Sequence, residues 1–248
     1  MLDEVFLMCA GEGVRMRPLT DDKPKPMIPV LGRPMIDWML DGLVAGGIRR
    51  AVINLHYRGE MIAGYLAGRA TPKIDFSREE TRLETGGGAK YALPLFSPGP
   101  FFAANSDVIW VPNDGYDPFQ TMRDAWDADK MDVLLMLCPL DRITGFDGPG
   151  DYTFDQTING PAPLRFNRER VRVGHMFMGI RIVNPAIFDD APDGVYSFVD
   201  LFHAAEKKGR LYGMVFDGLC YHVGTPDGLR AVETAMGQSP KPHLAAHV

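Results

Sequence analysis

The chain has 248 residues, of which 46% are hydrophobic and 23% are charged, so it can bury a substantial core and is too apolar for global disorder. Its formal net charge is −6 and no run of Lys and Arg exceeds two residues, which argues against nucleic acid as a partner. No signal peptide or membrane span is recognisable, and the three cysteines (Cys9, Cys138 and Cys220) lie far apart in apolar stretches. We therefore expect a cytoplasmic protein with free thiols and no membrane contact.

Strand and helix patterns alternate along the first half of the chain. The predicted strands are 5–9, 51–55, 73–77, 101–104 and 133–140, and the predicted helices are 34–44, 61–66 and 87–95. Alternation of this kind predicts parallel βαβ units with helices on both faces of the sheet. We therefore expect a Rossmann-like, three-layer α/β/α fold with a mixed, mainly parallel sheet.

The second half of the chain is less regular. It is predicted to contain a loop at 141–150, strands at 152–156, 175–183 and 211–216, and helices at 198–208 and 226–236. Residues 1–236 are interpreted as one domain, followed by a loose tail at 237–248. Because the chain shows no coiled coil or evident interface, we expect a monomer or a small homo-oligomer.

A glycine-rich turn, AGEGVRMRPLT at residues 10–20, follows the first predicted strand. Gly11 and Gly13 would let the backbone approach a ligand closely, and Arg15 can grip phosphate oxygens with its planar guanidinium. The turn lacks the P-loop pattern, and Met16 stands where a dinucleotide fingerprint has its third glycine. From the turn alone, a phosphate site and an ordinary strand–helix connection with surface arginines both remain open.

Two further polar residues, Asn54 and Asp107, follow predicted strands in the same way. Ligands of open α/β sheets bind outside the carboxyl ends of the strands. Asn54, Asp107 and the glycine-rich turn are therefore expected to converge at one edge of the sheet.

The turn and the segment Pro24-Lys25-Pro26 together resemble the signature of the sugar-1-phosphate nucleotidylyltransferases. Further matches occur at ETGGG (84–88), NSDV (105–108) and VGTP (223–226), so the resemblance spans nearly the whole chain. Within that family, the compact length and the ETGGG segment are most similar to the N-acetylmuramate-1-phosphate uridylyltransferases of cell-wall recycling.

The resemblance implies the fold of the nucleotide-diphospho-sugar transferases, with a nucleotide-binding half at 1–140 and a sugar-binding half at 141–236. It implies that a nucleoside triphosphate and a sugar-1-phosphate combine to give a nucleotide sugar and pyrophosphate, with UTP and N-acetylmuramic acid 1-phosphate as the first choice. The alternatives are a GTP- or dTTP-dependent enzyme acting on mannose- or glucose-1-phosphate, and a regulator that binds nucleotide sugars without catalysis.

The resemblance also implies roles for individual residues. Arg15 would hold the triphosphate, Lys25 would lie against the α-phosphate or the sugar phosphate, and Asp107 would bind Mg²⁺, with Mn²⁺ as the alternative metal. The glycines after Glu84 are expected to leave the helix backbone open to a flat nucleobase. The nucleotide-binding set is Ala10, Gly11, Glu12, Gly13, Asn54, Glu84, Gly87 and Gly88, and the sugar-binding set is Asn105, Arg165 and Gly179.

The chain departs from the family pattern at His222, which precedes the VGTP segment at the point where many members have an aspartate that supplies a second metal ligand. Imidazole suits Mg²⁺ less well than a carboxylate does. Three roles remain open for His222: a metal ligand, a phosphate contact, or no role in a site whose metal depends on Asp107 alone.

Overall fold

The computed structural model describes residues 2–155, 157 and 160–238 of the chain. Its strands are β1 (Glu4–Met8), β2 (Pro29–Val30), β3 (Arg33–Pro34), β4 (Arg50–Leu55), β5 (Lys73–Arg78), β6 (Phe101–Asn105), β7 (Val108–Pro112), β8 (Val133–Pro139), β9 (Ile143–Thr144), β10 (Tyr152–Thr153), β11 (Ala162–Pro163), β12 (Arg165–Phe166), β13 (His175–Val183), β14 (Leu211–Val215) and β15 (Gly218–His222). Its α-helices are α1 (Met35–Ala45), α2 (Gly59–Leu66), α3 (Glu84–Ala92), α4 (Pro118–Ala125), α5 (Phe198–Lys207) and α6 (Pro226–Gln238).

The main sheet has ten strands, eight of which follow the order β11-β14-β8-β13-β6-β1-β4-β5. The pairs β6–β1, β1–β4, β4–β5 and β14–β8 are parallel, whereas β13 runs antiparallel to both of its neighbours on this path. The predicted mixed, mainly parallel sheet is therefore confirmed. Its parallel strands need crossover helices, which explains why helices alternate with strands in the first half of the chain.

Helices cover both faces of this sheet. Along β1, Val5 and Leu7 pack into a core with α1, α2 and α4, whereas Phe6 and Met8 pack into a second core with α3 and α5. Successive residues of a strand point to opposite faces, so an unbroken apolar strand such as β1 serves two cores at once. The sheet therefore packs against helices on both faces, which gives the three-layer arrangement.

A small second sheet, in the order β7-β15-β9, lies beside the main one. Its strands β7 and β15 are antiparallel, with His222 opposite Val108. Val223 N also donates a 2.8 Å hydrogen bond to Asp107 O. This pairing brings Asp107 and His222, which are far apart in the sequence, to the same place.

The sequence predictions and the structure differ at several elements. The predicted loop at 141–150 contains β9, and the predicted strand at 152–156 is reduced to Tyr152–Thr153, with residue 156 outside the described residues. Helix α4 was not predicted, although Asp117 caps it by accepting hydrogen bonds from Phe119 N and Gln120 N. Helix α6 continues to Gln238, so residues 237–238 do not belong to a loose tail, and residues 239–248 lie outside the described residues.

The described cysteines are all buried and free of disulfides, as predicted. No helix in the described part of the chain is long and apolar enough to cross a membrane.

Candidate active site

A cavity of about 380 Å³ opens at the carboxyl ends of β1, β4 and β6. Its lining includes the glycine-rich turn, Lys25, Asn54 and Asp107, so the predicted convergence of these groups at one edge of the sheet is confirmed. A cavity of this size is large enough for part of a nucleotide.

The glycine-rich turn folds back onto the segment that carries Lys25. Gly13 adopts φ +64°, and a Cβ there would lie 2.9 Å from Thr20 Cγ2 and 3.0 Å from Lys25 Cβ. Thr20 Oγ1 donates a 2.9 Å hydrogen bond to Gly13 O, which ties the end of the turn to its start. At Gly11, by contrast, no described atom would lie within 4 Å of an added Cβ, so the backbone there faces the cavity freely.

Opposite charges meet on the floor of the cavity. Lys25 Nζ lies 2.9 Å from Asp107 Oδ2, and both side chains are less than a fifth exposed. Burial raises the pKa of Asp107, but the nearby cationic groups, Lys25 foremost, outweigh it and hold that pKa below its ordinary value. Asp107 is therefore a carboxylate at neutral pH.

His222 is held with one ring nitrogen toward this carboxylate. Its Nδ1 lies 3.2 Å from Gly145 O, and its Nε2 lies 4.0 Å from Asp107 Oδ2. Because a carbonyl oxygen only accepts, the contact with Gly145 assigns the proton to Nδ1 and leaves the lone pair of the neutral ring on Nε2. The ring packs edge-on against Phe146 and so closely against Gly224 that a Cβ there would lie 2.2 Å from His222 Cε1.

A second oxygen of the floor, Asp107 Oδ1, is buried and has no hydrogen-bond partner among the described residues. Together with His222 Nε2, it gives the site one hard oxygen donor and one nitrogen donor for a cation. The described residues contain no cluster of three or more acidic, histidine or cysteine side chains, so a metal here would need further ligands from a substrate.

The helix α3 forms another wall, and its glycines are used for packing. A Cβ at Gly87 would lie 1.9 Å from Gly194 O, and one at Gly88 would lie 2.5 Å from Glu79 Oε1. The backbone N–H groups of Gly86 and Gly87 both donate to Tyr196 O. The open backbone expected at Gly87 and Gly88 is therefore wrong: the cavity reaches Glu84 and Thr85, and neither glycine lines it.

Asn54 lines the cavity, but its amide is used within the protein. Cys9 N donates to Asn54 Oδ1 at 2.7 Å, and Asn54 Nδ2 donates to Glu79 Oε1 at 2.7 Å. Glu79 in turn accepts from Leu83 N at 3.0 Å, just before α3 begins. This buried relay joins the ends of β1, β4 and β5 to the start of α3.

Sequence reasoning missed Glu79 and Arg82. Glu79 is 6% exposed, and Arg82 reaches Glu12 of the glycine-rich turn and Glu84 of α3, at 3.4 and 2.9 Å. Both residues line the cavity. Glu79 directly follows β5, so the rule that pointed to Asn54 and Asp107 would also have found it.

The residues predicted for the sugar are only partly brought together. Asn105 lines the cavity, and Gly179 lies against it with φ +86°, since a Cβ on Gly179 would lie 2.9 Å from Asn105 Cβ. Arg165 lies on the short strand β12, is exposed, and does not line the cavity.

Residues 5–146 match the nucleotidyl transferase family. The chain belongs to that family. It is an enzyme of the sugar-1-phosphate nucleotidyltransferase type, as the motifs in its sequence predicted.

Relatives of this chain match it along most of its length. An N-acetylmuramate alpha-1-phosphate uridylyltransferase from Caulobacter vibrioides is 37% identical over 239 residues, which cover 94% of this chain and 97% of the relative. A protein of the same name from Neisseria meningitidis is 30% identical over 239 residues, covering 94% and 98% of the two chains. The structure of a UDP-glucose pyrophosphorylase complexed with UDP-glucose superimposes with a TM-score of 0.79 at 16% identity, covering 96% and 99%, which supports the fold.

Proposed function

We propose that this enzyme transfers the uridylyl group of UTP to N-acetylmuramic acid α-1-phosphate. An oxygen of the sugar phosphate attacks the α-phosphorus of UTP, the bond from that phosphorus to the oxygen bridging the β-phosphate breaks, and pyrophosphate leaves with the bond electrons. The products are the UDP-sugar and pyrophosphate. The two full-length relatives that carry this name support the choice of substrates.

The observation that carries the proposal is the Lys25–Asp107 pair on the floor of the cavity, with 2.9 Å between Lys25 Nζ and Asp107 Oδ2. Phosphoryl and nucleotidyl transfers depend mainly on positioning and on charge placed where negative charge develops. Lys25 is a cation held in place by the Asp107 carboxylate, and it lies below the turn whose backbone is open at Gly11. This arrangement supplies both the positioning and the positive charge.

We assign the phosphate groups to the glycine-rich turn. The backbone near Gly11 and Gly13 would bind them, and Arg15, which is exposed and lines the cavity, would hold the triphosphate and then the departing pyrophosphate. Arg82 connects this turn to α3, so it would keep the two walls together around the nucleotide.

We further propose that Asp107 and His222 hold a divalent cation. The unpartnered Asp107 Oδ1 and the lone pair on His222 Nε2 fit such an ion, and this favours the first of the three roles left open for His222. Mg²⁺ fits the carboxylate, whereas the imidazole improves the fit for Mn²⁺. When bound, the ion would neutralise phosphate charge.

We place the nucleotide in the half formed by residues 1–140 and the sugar in the half formed by 141–236. The buried free thiols support a cytoplasmic location.

The test is a matrix of UTP, GTP, dTTP and CTP against the 1-phosphates of N-acetylmuramic acid, N-acetylglucosamine, glucose and mannose, measured by pyrophosphate release. We expect the highest kcat/KM for UTP with N-acetylmuramic acid 1-phosphate. A different best pair would assign another member of the same reaction class. No pyrophosphate with any pair would favour the nucleotide-sugar-binding regulator.

Two variants test whether the activity measured in this matrix depends on the proposed site. Asp107→Asn is expected to lower kcat by about 10²–10³-fold, since it removes a charge that organises both Lys25 and the cation. Asp127→Asn is the matched control, because Asp127 does not line the cavity and its carboxylate contacts Lys130 Nζ and Asp129 N. Equal activity of the two variants would remove Asp107 from the proposed mechanism.

A further inference from the structure

The side chain of Arg181 is a charge in the interior of the protein. It lies on β13, is only 1% exposed, and its Nε has no hydrogen-bond partner among the described residues. Burial lowers the pKa of Arg181 to about 9, and no described carboxylate forms an ion pair with it. Burying an unpaired charge is costly, so this arginine requires a reason.

Aromatic rings take the place of the missing carboxylate. The Cζ of Arg181 lies 4.3 Å from the ring centroid of Phe198, 5.5 Å from that of Phe177 and 5.7 Å from that of Phe202. The negative faces of aromatic rings attract a guanidinium and hold its plane in place. These contacts fix the direction of the guanidinium N–H groups. The rings do not accept hydrogen bonds from those groups as a carboxylate would.

The fixed N–H groups point to three residues at the edge of the cavity. Nη1 donates to Asn105 Oδ1 at 2.9 Å and to Gly179 O at 3.1 Å, and Nη2 lies 3.0 Å from Met8 Sδ. Met8 and Asn105 line the cavity, on β1 and β6 respectively. Arg181 thus connects three adjacent strands directly below the site.

The contact with Asn105 determines which way its amide faces. A guanidinium only donates hydrogen bonds, so the atom of Asn105 that it touches must be the oxygen. The Nδ2 of Asn105 is therefore turned away from Arg181, and it has no acceptor within the described part of the chain. Asn105 itself lines the cavity, and its Nδ2 lies beside Gly179, 3.3 Å from the position that a Cβ on Gly179 would take.

We propose that Arg181 is a positioning residue for the acceptor substrate: by holding Asn105 Oδ1, it presents the amide NH₂ to an oxygen of the sugar-1-phosphate, either a hydroxyl or a phosphate oxygen. This rests on the function proposed above. Without Arg181, the amide of Asn105 would be free to rotate, and its Oδ1 would then face an oxygen of the substrate. The need to prevent that rotation explains the buried charge.

The test is a double-mutant cycle with Arg181→Met, Asn105→Ala and the double variant, in steady-state kinetics with the sugar-1-phosphate that the unmodified enzyme uses best. We expect each single variant to raise the KM for that substrate by about tenfold, the equivalent of one good hydrogen bond. The KM for the nucleotide should stay within about twofold. The double variant should be no worse than Asn105→Ala, because Arg181 acts through Asn105. Arg181→Lys, which keeps one donor, should recover part of the loss.

Val183→Ala is the matched control, since Val183 is fully buried on the same strand and contributes no polar group. It should lower the melting temperature and leave both KM values unchanged. Additive effects in the cycle, or an unchanged KM in Arg181→Met, would overturn the inference.

Asn105→Asp tests the contact without any substrate. The new carboxylate would face the Arg181 guanidinium, so the melting temperature should rise, while the added negative charge should raise the KM for the sugar-1-phosphate. A melting temperature at or below that of the unmodified protein would contradict the proposed contact whichever substrates are used. If the enzyme turned over none of the sugar-1-phosphates, the proposed function would fail, while this measurement would still decide whether Arg181 holds Asn105.

Discussion

Two walls of the cavity are rich in glycine, and they use it in opposite ways. In the glycine-rich turn, Gly11 has no described atom near the position of a Cβ, and its backbone lies open to the cavity. In α3, a Cβ at Gly87 would lie 1.9 Å from Gly194 O, so the residue has no room for a side chain. The first wall leaves its backbone open for a ligand, whereas the second allows a helix to approach a neighbouring segment closely.

The difference shows what a run of glycines in a sequence can mean. A glycine with an open backbone and a glycine packed against a neighbour look the same in a sequence. Only the fold shows which of the two a given glycine is. Substitutions at Gly11 or Arg15 of the turn should therefore change kinetics without changing stability, and a substitution at Gly87 of α3 should do the reverse.

The largest effect is expected for Arg15→Ala in the turn. Arg15 is exposed, lines the cavity and is assigned to the triphosphate, so kcat should fall by about 10²–10³-fold with an unchanged melting temperature. Arg17→Ala is the matched control, because Arg17 is exposed, pairs with Asp21 and does not line the cavity. Similar rates for the two variants would show that the turn carries no catalytic charge at Arg15.

A loss of stability is expected for Gly87→Ala in α3. The methyl group would displace Gly194 and the segment that follows it, which should lower the free energy of unfolding by about 1–3 kcal/mol in chemical denaturation. The control is Gly64→Ala in α2, where no described atom would lie within 4 Å of the new Cβ. That variant should gain about 0.5–1 kcal/mol from helix propensity. If both variants behaved alike, the packing role of Gly87 would be wrong.

Gly11→Ala should show the reverse pattern to Gly87→Ala. The new methyl would project into the cavity, where it should keep phosphate away from the backbone and raise the KM for the nucleotide by about tenfold. The free energy of unfolding should change by less than about 0.5 kcal/mol. A destabilised Gly11→Ala with normal kinetics would contradict the comparison of the two walls.

The smallest effect is the one on thermal stability of replacing Asp107, which lies on the floor of the cavity between the two walls. Its pKa is lowered in the folded protein, so its carboxylate contributes stability above its ordinary pKa of about 3.9, and that contribution is lost as the pH falls through the lower folded value. Asp107→Asn should therefore melt about 2–4 °C below the unmodified protein at pH 7. This gap should narrow in melting curves recorded as the pH falls below about 3.9, and a gap independent of pH would contradict the assignment.

The sequence predicted the elements whose pattern is strong and local. The strands β1, β4, β8 and β13 were predicted to within a residue or two, because each is a mostly apolar run between polar segments. Helix α4 escaped detection because its buried residues are only Pro118, Phe119 and Met122. The cap at Asp117 was the available signal.

The candidate site was predictable as far as it depends on strand ends and motifs. The turn, Lys25 and Asp107 lie together as expected. The strand-end rule also reaches Glu79, but it does not reveal that Glu79 accepts from the Asn54 amide. The role of Arg181 could not be inferred, since a charged residue in a sequence does not reveal that three aromatic rings will surround it in the fold. Whether a charged side chain is buried depends on residues that are distant in the sequence, so no local sequence pattern predicts its burial.

The small sheet β7-β15-β9 has a consequence for how the enzyme can be re-engineered. Backbone pairing between β7 and β15, together with the hydrogen bond from Val223 N to Asp107 O, fixes where position 222 lies regardless of its side chain. For the cation proposed at Asp107 and His222, metal preference should therefore depend on one exchangeable position: His222→Asp should shift the preference from manganese toward magnesium while the scaffold that holds Asp107 stays as it is.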